Sequence, residues 1–214
     1  MSNYNQERQI NNQQLTMNNE QVSIPKICIL GGGFGGLYTA LSLRCFPWLK
    51  SLNCEITLVE QKDRFLFSPL LYELVTGELQ AWEIAPSYKK LLTNKKIRFC
   101  RATIEGVDLE TRLVQLQGGE KLAYDYLVLA VGGQTRTDGV PGAADYAIPF
   151  RSLADAMRLE ERLSALEATD LSQIRAAVIG GGPSGVELAC KVADRLQERG
   201  HVLLIERGDQ ILKS

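Results

Sequence analysis

A strand that runs straight into a glycine cluster constrains this chain more than any other feature. Ile27, Cys28, Ile29 and Leu30 form a continuous apolar run, and Gly31-Gly32-Gly33-Phe34-Gly35-Gly36 follows with no spacer. Such a run marks a buried parallel strand, and the G-x-G-x-x-G spacing turns it sharply into a helix. Gly31 permits the tight turn, Gly33 lets a pyrophosphate approach the backbone, and Gly36 lets the helix pack close on the sheet. The helix N-terminus then offers free N–H groups and a positive dipole end to phosphates. A second apolar run, residues 56–59, ends in Glu60, whose carboxylate is placed to accept hydrogen bonds from an adenosine ribose. The stretch reads as a dinucleotide site.

Glycine clusters after strands are also ordinary turns, and the argument against that reading is repetition. Ala176, Ala177, Val178 and Ile179 lead into Gly180-Gly181-Gly182-Pro183-Ser184-Gly185, then a helix-like run to Arg199, then an apolar strand over 202–205 ending in Glu206. The expected fold is α/β: a Rossmann-like domain over 24–150 with a parallel sheet and an inserted antiparallel meander, followed by a second Rossmann-like unit over 151–214. That second unit offers one strand, one helix, one more strand and eight further residues. Roughly forty residues cannot bury a core unaided. The second domain is therefore expected to be incomplete. Residues 1–23, rich in Asn and Gln, are expected to form a disordered tail.

Charge excludes some classes of function. With 24 basic against 25 acidic residues there is no nucleic-acid surface to expect. No apolar run approaches the ~20 residues that cross a bilayer, which leaves peripheral attachment open. The start carries no apolar core of signal-peptide kind, so a cytoplasmic location is expected. Cys28, Cys45, Cys54, Cys100 and Cys190 are odd in number and form no C-x-x-C pair. They read as small core residues of a reducing compartment, with a redox-active disulfide as the less favoured alternative. His201 is the only histidine, so no metal site is expected.

Between the two glycine units, the first helix is expected over Phe34–Cys45, ended by Pro47. Residues 61–79 mix aromatic, aliphatic and small residues without clean periodicity. They fit either a loop and short helix capping the sheet or an apolar wall for a flat ring system, with Lys62 or Arg64 near phosphates or adenine. A third parallel strand is expected at 97–99 and antiparallel strands at 103–107, 112–116 and 121–124. Residues 126–131 read as a further buried strand ending in Gly132 and Gly133, either to admit a ligand or simply to turn. Ser152 is placed to cap a helix over Leu153–Glu167.

Four runs carry a resemblance: residues 29–37, 67–77 (Phe-Ser-Pro-Leu-Leu-Tyr-Glu-Leu-Val-Thr-Gly), 127–133 and 178–189. Together they resemble the type II NADH:quinone oxidoreductases, most closely the cyanobacterial and plastid branch of demethylphylloquinone reductases. The resemblance implies FAD on the first unit, with Gly31, Gly33, Phe34, Gly35 and Gly36 at its pyrophosphate and Glu60 at its ribose. Gln61, Lys62 and Arg64 would lie nearby, the backbone of Ile104 beside adenine, and Pro69, Leu70, Ala130, Val131 and Gly132 towards the flavin. NADH or NADPH would bind at Gly180, Gly182, Gly185 and Glu206. Glu206 should repel the 2'-phosphate of NADPH, while Arg207 beside it is suited to bind one. The acid matching Glu187 would sit close to nicotinamide and flavin as a positioning or proton-relay group; on residues alone it is equally a surface charge.

The implied activity is hydride transfer from NAD(P)H to FAD and two electrons to a membrane quinone such as demethylphylloquinone or plastoquinone. Family members continue for roughly as long again, so the resemblance also implies a missing C-terminal half, for which a separately encoded partner is one source, with peripheral membrane association in the full-length form. Cys190-Lys191 stands where many members carry a glycine and an acid. A non-catalytic FAD-binding fragment and a different two-dinucleotide flavoenzyme, such as a sulfide:quinone reductase, are the alternatives.

Overall fold

The computed structural model describes residues 24–47, 49, 53–137 and 139–213. The disordered tail expected over 1–23 lies outside the described residues.

In chain order, β1 (Lys26–Leu30) turns into α1 (Phe34–Cys45), and β2 (Glu55–Glu60) follows. Three short helices come next, α2 (Leu71–Val75), α3 (Ala81–Ile84) and α4 (Tyr88–Leu91), then β3 (Ile97–Arg101). An antiparallel meander of β4 (Ile104–Asp108), β5 (Leu113–Leu116) and β6 (Lys121–Ala123) leads to β7 (Tyr126–Leu129). The parallel sheet has the order β3-β2-β1-β7. The chain leaves β1 towards β2 on one side and returns as β7 on the other, so the carboxyl ends of β1 and β7 flank a topological switch point. Open α/β sheets bind ligands in that crevice.

The apolar runs of β1 and β2 follow from burial on both faces, whereas the run expected to be buried over 126–131 lies at the sheet edge with Tyr126, Leu129 and Val131 exposed. Ile27 and Ile29 pack with Leu37 and Ala40 of α1 and with Phe65 and Tyr88, whereas Cys28, Leu30 and Val59 pack with Val114, Leu116 and Tyr124 of the meander. Burial pushes the Cys28 thiol up to about 11, with nearby Cys100 adding to the shift. All five cysteines are free thiols.

After the single turn α5 (Ala143–Tyr146), helix α6 (Leu153–Glu167) opens on the expected Ser152 cap, completed into a capping box by Asp155. Then β8 (Ile174–Ile179), α7 (Pro183–Leu196) and β9 (Gly200–Ile205) form the second unit. Its sheet is the parallel pair β8–β9. Ile174, Ala176 and Val202 face the helices, while Ile179 (73% exposed), Leu203 and Ile205 lie open on the other face.

The aperiodic segment after Glu60 joins the two units. Its first part runs extended beside 84–88, with Phe65 N–H donating to Pro86 and Phe67 N–H to Ile84, and sets Phe65 and Phe67 edge-on to Phe34. Its second part, α2, sends Leu71, Leu74 and Val75 into a core shared with Ala156, Leu163, Ile174, Val192 and Leu196. Its apolar residues thus serve two cores in succession, which is why no single period describes them.

Charges reinforce that junction. Lys191 Nζ lies 2.8 Å from Glu78 and 4.0 Å from Glu73, so the lysine of the Cys190-Lys191 departure is matched by acids from the segment it faces. Arg195 donates to both oxygens of Glu167 (2.9 and 2.7 Å), to Ser164 Oγ (2.7 Å) and to the Val75 carbonyl (2.5 Å).

Candidate functional site

The same turn is built twice. Gly31 (φ +98°) and Gly180 (φ +109°) occupy the left-handed region, and their N–H groups donate to Val59 and Ile205 at the ends of the neighbouring strands. A methyl at Gly36 would collide with the Gly31 carbonyl, and one at Gly185 with the Gly180 carbonyl. What these last glycines admit is thus the carbonyl of the turn itself; packing on the sheet is secondary, with Ala130 3.4 Å from the place of a Gly36 methyl.

Gly33 and Gly182 differ in kind. Both cap their helices in extended conformations open to any residue (φ −61° and −72°), and a methyl on either meets nothing within 4 Å. The fold does not require glycine at these positions. Each opens onto empty space at a helix N-terminus, where backbone N–H groups and the dipole favour an anion.

The terminal acids brace the turns. Glu60 accepts from Gly32 N–H (2.7 Å) and Lys62 N–H (3.1 Å), and Glu206 from Gly181 N–H (2.5 Å) and Gly208 N–H (2.9 Å). A carboxylate offers about four lone-pair directions, so each keeps capacity for ribose hydroxyls after these bonds. The Gly208 N–H, followed by that of Gly181, holds the Glu206 carboxyl below the usual carboxylate range. A depressed folded value means that its contribution is complete above the ordinary value of 4.5 and is lost as pH falls through the lower folded one. Stability measured by circular dichroism against pH is expected to fall less steeply on the acid side in Glu206→Gln than in wild type.

The motif spacing leaves the middle glycines unassigned. Gly32 lies under the Tyr88 hydroxyl and against Glu60, and Gly181 against Ile211 and Glu206, so neither position has room for a methyl. Nor does any motif include Tyr88, 2% exposed, which donates to the Gly32 carbonyl (2.7 Å) and stacks on Phe99. Burial, and then the negative charge of Glu60, raise the Tyr88 hydroxyl well above its ordinary value, so it stays a neutral donor. In the second turn the Gly181 carbonyl receives instead the backbone N–H of Leu212 (2.7 Å).

The remaining expected residues fall as follows. Ala130 bonds to the Leu30 carbonyl, its own carbonyl fills the space over Gly31, and Val131 and Gly132 (φ +74°) continue, exposed, beside the turn. Gly35 and Phe34 open α1 on the same side. Arg64 is committed to the Ala85 carbonyl (2.9 Å), and the Gln61 carbonyl accepts from Arg101 (3.3 Å). Lys62 and Pro69 are exposed, Leu70 is half-buried in the turn before α2, and Ile104 opens β4. Glu187 is exposed in the second turn of α7. A cavity of about 280 Å³ lined by Lys26, Cys28, Glu55 and Arg98 lies at the opposite, amino ends of the strands, where Arg98 is paired with Glu55 and Glu120.

Comparison with known proteins gives the family. The family model described as pyridine nucleotide-disulphide oxidoreductase matches residues 25–214. The chain is 52% identical over 192 residues to demethylphylloquinone reductase NdbB of Synechocystis, covering 88% of this chain and 48% of that protein. It is 45% identical over 206 residues to the alternative NAD(P)H-ubiquinone oxidoreductase C1 of Arabidopsis thaliana, covering 89% of this chain and 40% of the relative. The chain therefore spans about half the length, or less, of these curated relatives. Among solved structures, NDH2 from Plasmodium falciparum in complex with NADH superposes with a TM-score of 0.75 at 26% identity, over 88% of this chain and 43% of that one.

Proposed function

Because this chain belongs to the pyridine nucleotide-disulphide oxidoreductase family, we propose that it is the nucleotide-binding part of an FAD-dependent NAD(P)H:quinone oxidoreductase, with FAD on residues 24–150 and NAD(P)H on 151–214. The observation that carries the reading is the pair Gly33 and Gly182, glycines that the fold does not need, each open to an incoming phosphate at a helix N-terminus. The relatives' names supply the chemistry: a demethylphylloquinone reductase and an NAD(P)H-ubiquinone oxidoreductase.

When bound, FAD would supply the chemistry: acceptance of a hydride from the nicotinamide, then passage of its two electrons and proton to a quinone that takes a second proton from solvent to become the quinol, while the protein orients the partners. Gly33 and the first N–H groups of α1 hold the pyrophosphate, and the spare lone pairs of Glu60 take the ribose. Gln61, Lys62 and Arg64 flank that end, the Ile104 backbone lies beside adenine, and Pro69, Leu70, Ala130, Val131 and Gly132 line the way to the flavin. Gly180, Gly182 and Gly185 receive the nicotinamide dinucleotide, and the fixed negative charge of Glu206 favours NADH over NADPH, whose extra phosphate it repels. Glu187 positions the nicotinamide or relays a proton beside it. The quinone is a membrane quinone of the demethylphylloquinone or plastoquinone kind. The whole protein works as a peripheral enzyme at the cytoplasmic face of a membrane, a reading that rests on the membrane quinone it would reduce; among the described residues no helix is long and apolar enough to cross one.

One observation favours a second reading, a fragment that binds flavin without turning over. The apolar face carrying Ile179, Leu203 and Ile205 is open in a two-stranded sheet, and polypeptide equivalent to the remaining half of the relatives, separately encoded or not, would cover it. An anaerobic absorption spectrum of the purified chain, before and after NADH, separates these. A flavin band that bleaches with NADH is the expected result. A band that persists leaves the non-catalytic fragment, and the absence of flavin overturns both.

A further inference from the structure

We infer that Tyr88 is a positioning residue for the first dinucleotide turn, holding the peptide between Gly32 and Gly33 in the one orientation that presents the Gly33 N–H to a pyrophosphate. The inference rests on the reading that FAD binds this turn.

The two peptides of Gly32 are pinned from different sides. The N–H of the 31–32 peptide donates to Glu60, and the carbonyl of the 32–33 peptide accepts from the buried Tyr88 hydroxyl. No peptide bond is cis among the described residues, so the Gly33 N–H points opposite to the Gly32 carbonyl. With the carbonyl drawn inward to Tyr88, the N–H is turned the opposite way, and a side chain placed on Gly33 would meet no neighbour within 4 Å. Flipping that peptide would put a carbonyl dipole where the phosphate arrives. Glycines on both sides of the bond make the flip sterically cheap, because neither carries a Cβ to oppose it. Something must choose between the two orientations, and the hydroxyl is the group in contact with the carbonyl.

The second turn supports the argument independently. Its Gly181 carbonyl is likewise capped, by the Leu212 N–H, and Gly182 likewise meets empty space. Two unrelated groups thus satisfy the same carbonyl in the two copies. Phe99 stacks on the Tyr88 ring with centroids 4.7 Å apart and takes no part in the hydrogen bond from the hydroxyl to the carbonyl.

The test is FAD titration of the apo-chain by flavin fluorescence, with thermal unfolding of each variant recorded beside it. Tyr88→Phe keeps the ring and removes the bond, and is expected to raise the FAD dissociation constant about tenfold, the cost of leaving one buried carbonyl unsatisfied in the binding-competent form. Phe99→Leu removes the stacking ring and leaves the hydroxyl, and at an equal or larger loss of Tm is expected to change FAD affinity by less than about twofold. Wild-type affinity in Tyr88→Phe overturns the inference. So does a loss of affinity that follows Tm alone across both variants. A wild-type chain that takes up no FAD overturns the assignment of FAD to this turn, and the inference with it.

Discussion

Gly36→Ala is expected to abolish FAD binding, weakening it by at least about a hundredfold, or roughly 3 kcal/mol. The new methyl would overlap the Gly31 carbonyl, and that carbonyl cannot retreat easily. Gly31 is held in the left-handed region, and its N–H is bonded to the end of β2. Either α1 moves away from the turn or the turn opens, and both displace the N–H groups proposed to receive the phosphate. Thermal stability should fall with it, because the clash exists in the unliganded fold. Gly33→Ala is the informative partner. Its methyl meets nothing in the apo-protein, so Tm should stay within about a degree of wild type, while FAD affinity falls comparably because the methyl occupies the space of the ligand. Measuring Tm and flavin uptake for the two variants together separates the glycine that shapes the turn from the glycine that admits the cofactor. If Gly33→Ala retained wild-type FAD affinity, the pyrophosphate would not lie over Gly33.

Arg195→Ala is expected to be the most damaging change at the junction of the two units, at about 2–3 kcal/mol in chemical denaturation. Only 12% of the arginine side chain is exposed, but Glu167 keeps 32%, so water screens the ion pair and its Coulombic part is modest. Most of the cost lies in the Val75 carbonyl and Ser164 hydroxyl left without their donor, and in the packing of the arginine stem against the shared core. Arg195→Lys keeps the charge but cannot span Glu167, Ser164 and Val75 at once, and should recover less than half of the loss. Recovery close to wild type would show charge, not the forked geometry, to be what matters there.

The parallel sheet, both glycine turns and the capped helix α6 were legible in the sequence because each is written in neighbouring residues. A strand, its turn and the helix after it need no information from elsewhere, and the Ser152 cap finds its partner three residues on. Tyr88 was not legible. It acts on a carbonyl 56 positions away, and nothing in Ser-Tyr-Lys-Lys announces a buried hydroxyl. Residues 61–79 hid their role for another reason: Phe65 belongs to one core and Leu71, Leu74 and Val75 to another, and a segment divided in this way shows no period. The middle glycines Gly32 and Gly181 fall on positions that the motif leaves free, yet Tyr88 and Glu60 close the first to a side chain, and Ile211 and Glu206 crowd the second.

The carbonyls of Gly32 and Gly181 are capped by different parts of the chain, and this gives the two turns unequal exposure to sequence drift. The first depends on one oxygen atom of one side chain, which a single nucleotide change in its codon can delete. The second depends on a main-chain amide at Leu212 that every residue except proline supplies. Over many generations of neutral change the second turn can keep its geometry while position 212 varies among the residues that tolerate its φ of +57°, whereas the first can only keep its tyrosine or find a replacement donor.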